Sequence, residues 1–217
     1  MKLCVYDMDK TITRKPSWTS WLFFYAFREA PWRLLLAPFM LLPSLAFVLG
    51  FTDRKELKQA TQGLMMGRRV ARVKVERAAA AFAESFGRRM ELAGALDAMA
   101  EDRRQGHQIW VATASCRFFA AALAARWPVD AVIATENVWD GDYLCNRIRG
   151  ENCYGMGKLR MILARLEEGR PESVAFVSDH ISDLPALCWA DTPIAANPSA
   201  KLRSLARRRG WRIRDWR

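Results

Sequence analysis

The sequence KLCVYDMDKT at residues 2–11 joins a short apolar run to two aspartates that one residue separates. An apolar run that ends abruptly in polar side chains is typical of a buried strand in a parallel sheet. Asp7 and Asp9 follow the end of that strand and project from the same side of the chain. Two such carboxylates repel each other unless a cation or a proton lies between them, and Mg²⁺ prefers oxygen ligands of this kind. Aspartates at a strand end also serve as turn or capping residues, so an isolated pair leaves both interpretations open.

Three further apolar runs predict strands of the same kind, with helical patterns between them. The strands are predicted at 108–112, 131–134 and 174–177, and the helices at 88–104, 117–126, 156–168 and 183–189. This alternation predicts an α/β fold, a Rossmann-like parallel sheet with helices on both faces. Ligands of such sheets bind at the carboxyl ends of the strands. An Asp-Gly pair predicts a tight hairpin turn at 139–143.

The segment between the first two predicted strands is too long for a simple crossover, at roughly eighty residues, and its composition is helical. We therefore expect it to form a cap of its own, inserted after the first strand. The predicted division is a catalytic core at 1–13 and 88–217 and a helical cap subdomain at 14–87.

Polar groups also follow two of the other predicted strands. Thr113-Ala114-Ser115 ends the second strand, where hydroxyls and backbone N–H groups suit phosphate oxygens, although an ordinary helix N-cap explains them equally well. Asp179 and Asp183 follow the fourth strand, and Lys158 lies between these stretches. A single lysine is usually a solvated surface residue. Together, these groups are the nucleophile, acid, hydroxyl, cation and metal ligand that phosphoryl transfer needs.

In this order, the residues closely resemble the four motifs of the haloacid dehalogenase (HAD) superfamily. The motifs are matched by Asp7-Met8-Asp9-Lys10-Thr11, by Thr113, by Lys158 and by Asp179 with Asp183. A finer resemblance is to the phosphoserine-phosphatase-like branch, subfamily IB, near the histidinol-phosphatase-like and phosphatidylglycerophosphatase-C-like group. It rests on the stretches at 150–155, 178–185 and 196–198. Ser182 stands where relatives usually carry Asn.

The resemblance implies a phosphatase that depends on Mg²⁺, with Asp7 as the nucleophile, Asp9 as the general acid and base, and Lys158 as a catalytic cation. It implies metal ligands at Asp7, Asp9 and Asp179, with Asp183 in the surrounding shell. The substrate is expected to contact Thr11, Thr113, Ala114, Ser115 and Arg14. Thr113 and Ser115 remain alternatives for the main phosphate anchor. Relatives that only store the aspartyl-phosphate lack an acid at the position of Asp9, so hydrolysis is favoured.

The charge of the chain favours anionic partners, because 34 Lys and Arg against 23 Asp and Glu give a net charge of +11. A basic nucleic-acid-binding module is a remote alternative on this ground, but no recognised motif supports it, and no nucleic acid is expected. The five cysteines show no CxxC pair, and the first residues lack a signal-peptide pattern. We expect a cytoplasmic chain with reduced thiols.

An apolar stretch at 18–51 leaves two alternatives open for the type of substrate. Its charged residues are Arg28, Glu29 and Arg33. It forms either a buried helical hairpin of the cap or a segment that lies in a membrane interface, which its Trp and Tyr residues would suit. Basic clusters at 68–77 and 201–217 would strengthen adsorption to anionic lipid.

The interfacial alternative predicts a phosphorylated lipid substrate such as phosphatidylglycerophosphate, peripheral membrane contact and a place at the inner face of the cytoplasmic membrane. The other alternative is a soluble small phosphomonoester, phosphoserine-like or histidinol-phosphate-like. A single membrane crossing is excluded in either case, because it would separate Asp7 from Lys158 and Asp179.

Overall fold

The computed structural model describes residues 1–166 and 169–216, and Glu167, Glu168 and Arg217 lie outside the described residues. The strands are β1 (Lys2–Tyr6), β2 (Arg69–Ala71), β3 (His107–Cys116), β4 (Ala131–Thr135), β5 (Asn137–Asp140), β6 (Tyr143–Ile148), β7 (Ser173–Ser178), β8 (Thr192–Ala196) and β9 (Arg212–Arg214). The helices are α1 (Ser17–Glu29), α2 (Leu41–Val48), α3 (Arg54–Met65), α4 (Arg72–Met90), α5 (Ala93–Arg104), α6 (Arg117–Ala124), α7 (Met156–Arg165), α8 (Leu184–Trp189) and α9 (Ala200–Arg209). Short 3₁₀ segments lie at Pro31–Met40 and Ile181–Asp183.

The main sheet has six parallel strands in the order β4-β3-β1-β7-β8-β9. Its inner strand β1 alternates between two hydrophobic clusters: Cys4 and Tyr6 lie in one, and Leu3 and Val5 lie in the other. A strand that is buried on both faces needs apolar residues at every position, which is why β1 reads as a continuous apolar run. The predicted α/β fold with a Rossmann-like parallel sheet is confirmed.

The strands predicted at 108–112, 131–134 and 174–177 are confirmed within β3, β4 and β7. The hairpin is confirmed as well, since Gly141 adopts a φ of 56° between β5 and β6. The prediction missed β2, β8 and β9. Pro193, a residue type that is uncommon in strands, lies within β8, and β2 and β9 are only three residues long and carry arginine.

One predicted helix was wrong in its extent. The segment 88–104 contains the end of α4 and all of α5, because the chain becomes extended at Glu91. There Glu91 forms a bridge with Thr13, and Leu92 N donates to Ile12 O. The helices predicted at 117–126 and 183–189 are confirmed within two residues. Helix 156–168 is confirmed as far as Arg165, and its predicted last two residues lie outside the described residues.

The segment between β1 and β3 carries α1 to α5, β2 and the 3₁₀ segment Pro31–Met40, and it packs on the sheet layer through aromatic rings. Trp21 of α1 stacks on Phe119 of α6 with ring centroids 5.1 Å apart, and Phe82 of α4 meets Trp21 edge-on at 5.5 Å. Strand β2 pairs antiparallel with β6, which ties this segment to the hairpin. The division into core and cap remains a prediction, and its boundary at 87/88 falls inside α4.

The apolar stretch at 18–51 divides into two parts. Helix α1 buries Trp21, Leu22 and Tyr25, as the buried-hairpin interpretation requires. The 3₁₀ segment and α2 bury none of their residues, so that interpretation is wrong for them. Leu35 and Val48 are each 78% exposed. Among the described residues, the 18 residues Pro31–Val48 form the one helical stretch that is long and apolar enough to cross a membrane.

Candidate active site

A cavity of about 240 Å³ lies at the carboxyl ends of β1, β3 and β7, and we call it the catalytic pocket. This is where a parallel sheet exposes backbone groups and strand-end side chains to a ligand. Its lining consists of Asp7, Asp9, Lys10, Pro16, Arg54, Thr113, Ala114, Tyr154, Lys158, Asp179, His180, Ser182 and Asp183.

Asp7 lies directly after β1, and its backbone N–H donates to Val177 O at 2.8 Å, so the parallel pairing of β1 with β7 fixes its position. The side chain accepts a hydrogen bond from Lys158 Nζ at 2.7 Å and one from Thr11 Oγ1 at 3.4 Å. Burial raises the pKa of Asp7 to about 8, although the Lys158 ammonium opposes this rise. Burial thus disfavours the charged form of Asp7, and the contact with Lys158 partly compensates for this.

Lys158 lies in the first turn of α7 and is 2% exposed. Its ammonium also donates to Asp183 Oδ2 at 2.6 Å, so it lies between two carboxylates. Burial alone lowers the pKa of Lys158, but the two carboxylates reverse this effect and raise it above the ordinary value. Lys158 is thus a buried, permanently charged cation and not the solvated surface residue that a single lysine usually is.

Negative charge exceeds positive charge at the other side of the pocket. Asp179 follows β7 and is 6% exposed, and burial together with the charge of Asp183 raises its pKa to about 7. Asp183 Oδ2 accepts hydrogen bonds from Lys158 and from Ser178 Oγ. Its Oδ1 atom is buried without a hydrogen-bond partner. An orphaned buried carboxylate oxygen of this kind calls for a cation or an ordered water.

Asp9 is held by the first residue of α1. Ser17 N donates to Asp9 Oδ1 at 2.8 Å, and Ser115 Oγ donates to Asp9 Oδ2 at 3.0 Å. The Ser17 and Ser115 hydroxyls also lie 2.9 Å apart, within hydrogen-bond distance. Burial raises the pKa of Asp9, and these hydrogen bonds partly lower it again. A carboxyl group with a raised pKa is suited to carry a proton near neutral pH.

The structure brings most of the predicted site residues together. Thr113 and Ala114 line the catalytic pocket, while Thr11 lies beneath it against Asp7. Ser115 is bound to Asp9 instead, so Thr113 has the better position for a phosphate anchor. Arg14 is exposed and does not line the pocket, so the predicted substrate contact of Arg14 has no support in the geometry.

Ser182, which replaces the usual Asn of relatives, binds a neighbour within its own loop. Its backbone N–H donates to His180 Nδ1 at 3.2 Å, and its hydroxyl lies 2.9 Å from the same atom. Both residues line the pocket. The loop after β7 is therefore closed by a local contact that leaves Asp183 free to bind Lys158.

The sequence-based prediction missed three residues of the site, and all three come from the inserted segment. They are Ser17, Lys58 and Arg54, whose guanidinium lies over the Tyr154 ring at 4.2 Å. Lys58 donates from Nζ to Ala114 O and, at 2.8 Å, to Asn152 Oδ1. The one signal in this region was the start of α3, where Asp53 and Glu56 form a capping box. The capping box locates the start of α3 but does not indicate which of its side chains reach the pocket.

The oxygen-rich donor set of the pocket fits Mg²⁺. Among the described residues, no three His, Cys, Asp or Glu side chains are placed to hold one ion between them. Two of the predicted ligands, Asp7 and Asp179, line the pocket as carboxylates, and Asp183 lines it beside Lys158. A partly hydrated ion held by one or two carboxylates and a phosphate is how Mg²⁺ is usually bound.

Comparison with known proteins places the chain among related sequences and folds. The family model of haloacid dehalogenase-like hydrolases matches residues 4–187. A phosphoserine phosphatase from Mycobacterium tuberculosis is 40% identical over 116 residues, which are 52% of this chain and 37% of that protein. The matched region thus spans little more than a third of this relative.

Solved structures share the fold. A protein of unknown function from Bordetella pertussis Tohama I aligns with a TM-score of 0.90 at 24% identity, covering 100% of this chain and 99% of the other. A phosphoserine phosphatase with a phospho-aspartyl intermediate analogue aligns with a TM-score of 0.63 at 16% identity, covering 100% of this chain and 93% of the other. At these identities the likeness concerns the fold alone.

Proposed function

The chain belongs to the haloacid dehalogenase-like hydrolases, and from this membership we propose that it hydrolyses phosphomonoesters through a covalent phosphate on Asp7. The observation that carries the proposal is the contact of Lys158 with Asp7 and Asp183 in a pocket that Asp9 also lines. This arrangement presents a carboxylate nucleophile, an acid with a raised pKa and a buried cation to one ligand. The 40% identical phosphoserine phosphatase supports the same reaction class.

In the first step, an Asp7 carboxylate oxygen attacks phosphorus. The bond from Asp7 to phosphorus forms while the bond from phosphorus to the leaving oxygen breaks, and Asp9 gives its proton to that oxygen. In the second step, water attacks phosphorus and gives a proton to Asp9, and the bond to Asp7 breaks to release inorganic phosphate. Thr113 lies where its hydroxyl can bind a phosphate oxygen, and Lys158 offsets the negative charge of carboxylate and phosphate.

A bound Mg²⁺ supplies additional positive charge against the repulsion between the phosphate and the carboxylates. The proposed donors are Asp7, Asp179 and the backbone oxygen of Asp9, with Asp183 in the surrounding shell. The orphaned Oδ1 of Asp183 supports this assignment, because the described residues offer that buried oxygen no hydrogen-bond partner.

The proposed substrate is a small soluble phosphomonoester, and the location is the cytoplasm. A phosphorylated lipid such as phosphatidylglycerophosphate is the second candidate, which the exposed stretch Pro31–Val48 favours. Contact with a membrane has to be peripheral in that case. Asp7 precedes this stretch and Lys158 follows it, and the 2.7 Å contact between their side chains keeps both on one side of any bilayer.

A phosphate-release screen tests the proposal. Soluble and lipid phosphomonoesters are offered in parallel, with and without Mg²⁺, and Asp7→Asn serves as the blank. We expect release that requires both Mg²⁺ and Asp7. Equal release by the blank would contradict the proposed nucleophile, and a preference for lipid esters would favour the second candidate over the first.

A further inference from the structure

A second cavity adjoins the catalytic pocket on the side of Asp9. We call it the annex; its volume is about 240 Å³, and it shares Asp9, Pro16, Arg54 and Ala114 with the catalytic pocket. Under the proposed function, Asp9 protonates the oxygen of the departing alcohol, so the alcohol extends from phosphorus past Asp9. The annex is therefore the space that the body of the leaving group enters.

The annex contains a buried cation whose contacts are neutral. Lys58 is 7% exposed, and the oxygens that its ammonium contacts among the described residues belong to a backbone carbonyl and a side-chain amide. Two of its three N–H donors are used by Ala114 O and Asn152 Oδ1. Burying an ammonium in this way is unfavourable unless a negative group compensates it, and burial accordingly lowers the pKa of Lys58.

The acidic residue that lines the annex already accepts hydrogen bonds from the protein. Asp9 is the one acidic residue among the described residues that line it, and hydrogen bonds from Ser17 and Ser115 engage both of its oxygens. Asp9 is protonated when the ester binds in the proposed mechanism, so a ligand ammonium in the annex would face the cations of Arg54 and Lys58 without a carboxylate charge among the described lining residues. Such an arrangement repels a cationic group as effectively as it attracts an anionic one.

We propose that the annex binds the leaving group of the substrate and selects an alcohol that carries a negative charge and no ammonium group. This inference rests on the proposed phosphomonoesterase activity and narrows its substrate class. The negative charge lies against Lys58 and Arg54, while carbon atoms contact the apolar wall of Trp18, Met40 and Leu57. A carboxylate on a small alcohol and a phosphodiester on a lipid backbone both provide this chemistry.

The decisive experiment uses a matched pair of esters. 3-Phosphoglycerate and O-phosphoserine have the same carbon skeleton and carboxylate, and they differ in a hydroxyl against an ammonium group. We expect kcat/KM to be at least about tenfold higher for 3-phosphoglycerate, which corresponds to a difference of about 1.4 kcal/mol. Phosphoethanolamine should be hydrolysed more slowly than ethyl phosphate for the same reason. Equal or faster turnover of O-phosphoserine would overturn the proposal.

Variants of α3 then assign the selectivity to Lys58. Lys58→Met should lower the ratio of kcat/KM for 3-phosphoglycerate over O-phosphoserine toward one, through a higher KM for 3-phosphoglycerate, and Lys58→Arg should restore part of the ratio. Lys55→Met is the matched control, because Lys55 lies on the same helix but binds Gly150 O outside the annex. An unchanged ratio in Lys58→Met contradicts the role of Lys58.

Two further assays separate the possible outcomes. Para-nitrophenyl phosphate reports phosphatase activity without a charged alcohol, so failure with this ester rejects the proposed function, whereas turnover of it without the expected selectivity rejects the annex proposal alone. Short-chain phosphatidylglycerophosphate in mixed micelles provides the phosphodiester. Faster turnover of this lipid than of 3-phosphoglycerate identifies a lipid as the source of the charge, and slower turnover identifies a small alcohol.

Discussion

Lys158 Nζ lies 2.7 Å from Asp7 Oδ1, so the buried cation from α7 touches the proposed nucleophile after β1. The second contact, to Asp183 Oδ2, means that removing the ammonium leaves two buried carboxylates without their cation. Breaking a buried ion pair from one side typically costs about 3–5 kcal/mol. Lys158→Met should therefore lower the free energy of unfolding by an amount in this range and abolish phosphate release.

Urea denaturation measures the loss of stability in Lys158→Met. The exposed Lys201 on α9 provides the matched control, and Lys201→Met should change the unfolding free energy by no more than about 0.5 kcal/mol. Adding Mg²⁺ should recover part of the loss in Lys158→Met. Equal stability of the two variants without Mg²⁺ would contradict the structural role of Lys158.

Asp9→Asn keeps the shape of the side chain but removes its proton donor. A general acid typically contributes about a hundredfold to ten-thousandfold to the rate. We expect kcat to fall by that factor for esters of poorly leaving alcohols and by less for para-nitrophenyl phosphate, whose leaving group needs little protonation. Circular dichroism should be unchanged. Asp97→Asn, at an exposed position of α5, is the control. An unchanged kcat in Asp9→Asn would contradict the role of Asp9 as general acid.

Ser115→Ala should change the pH profile of the reaction. The hydrogen bond from Ser115 Oγ stabilises the charged form of Asp9 and lowers its pKa, so its loss raises that pKa. A higher pKa keeps the acid protonated to a higher pH. The alkaline limb of the kcat/KM profile should consequently move upward, and a downward shift or no shift would contradict this assignment.

Binding of Mg²⁺ should release protons. Burial raises the pKa of Asp7 to about 8 and that of Asp179 to about 7, so both carboxyls are partly protonated at neutral pH in the metal-free protein. The ion binds the charged forms, and its affinity should rise as the pH increases from about 6 to about 9. Isothermal titration calorimetry in two buffers of different ionisation enthalpy measures the protons released. Identical heats in both buffers would be the contrary result.

The exposed stretch Pro31–Val48 predicts adsorption to lipid. Leu41 and Leu45 of α2 are 72% and 55% exposed, and charges placed there would abolish contact with an apolar phase. If the lipid candidate holds, wild-type protein should float with vesicles that contain anionic lipid, and the double variant Leu41→Glu/Leu45→Glu should remain in the soluble fraction. Leu163→Glu, at an exposed apolar position of α7, should float like the wild type. If neither protein floats, the lipid candidate loses its support.

Much of the site could be predicted because Asp7 and Asp179 directly follow buried strands and Thr113 lies near the end of β3, and buried parallel strands are readable as apolar runs. Asp7, Thr113 and Asp179 were found in this way, and the fold places them around one pocket. The contributions of the inserted segment could not be predicted. Ser17 and Lys58 are ordinary polar residues in helices, and their partners Ser115 and Ala114 lie far along the chain.

Strands that the prediction missed illustrate a second limit of sequence-based prediction. Strands β8 and β9 are short and lie at one side of the sheet, where pairing with a neighbour replaces the apolar alternation on which a sequence-based prediction depends. The break between α4 and α5 has a similar cause, because a contact with Thr13 determines it. Such tertiary contacts leave no local pattern.

The inner position of β1 in the sheet also determines at what stage of synthesis the active site can form. Lys2 pairs with His107 on one side and with Ser173 on the other, although both partner strands lie far downstream of β1 in the chain. A nascent chain that ends before Asp183 therefore carries Asp7 and Asp9 without the lysine-bound carboxylate that completes the pocket. Such long-range pairing delays folding until the residues up to Asp183 have been synthesised. The proposed phosphatase activity should consequently appear in a single step, once that carboxylate is available.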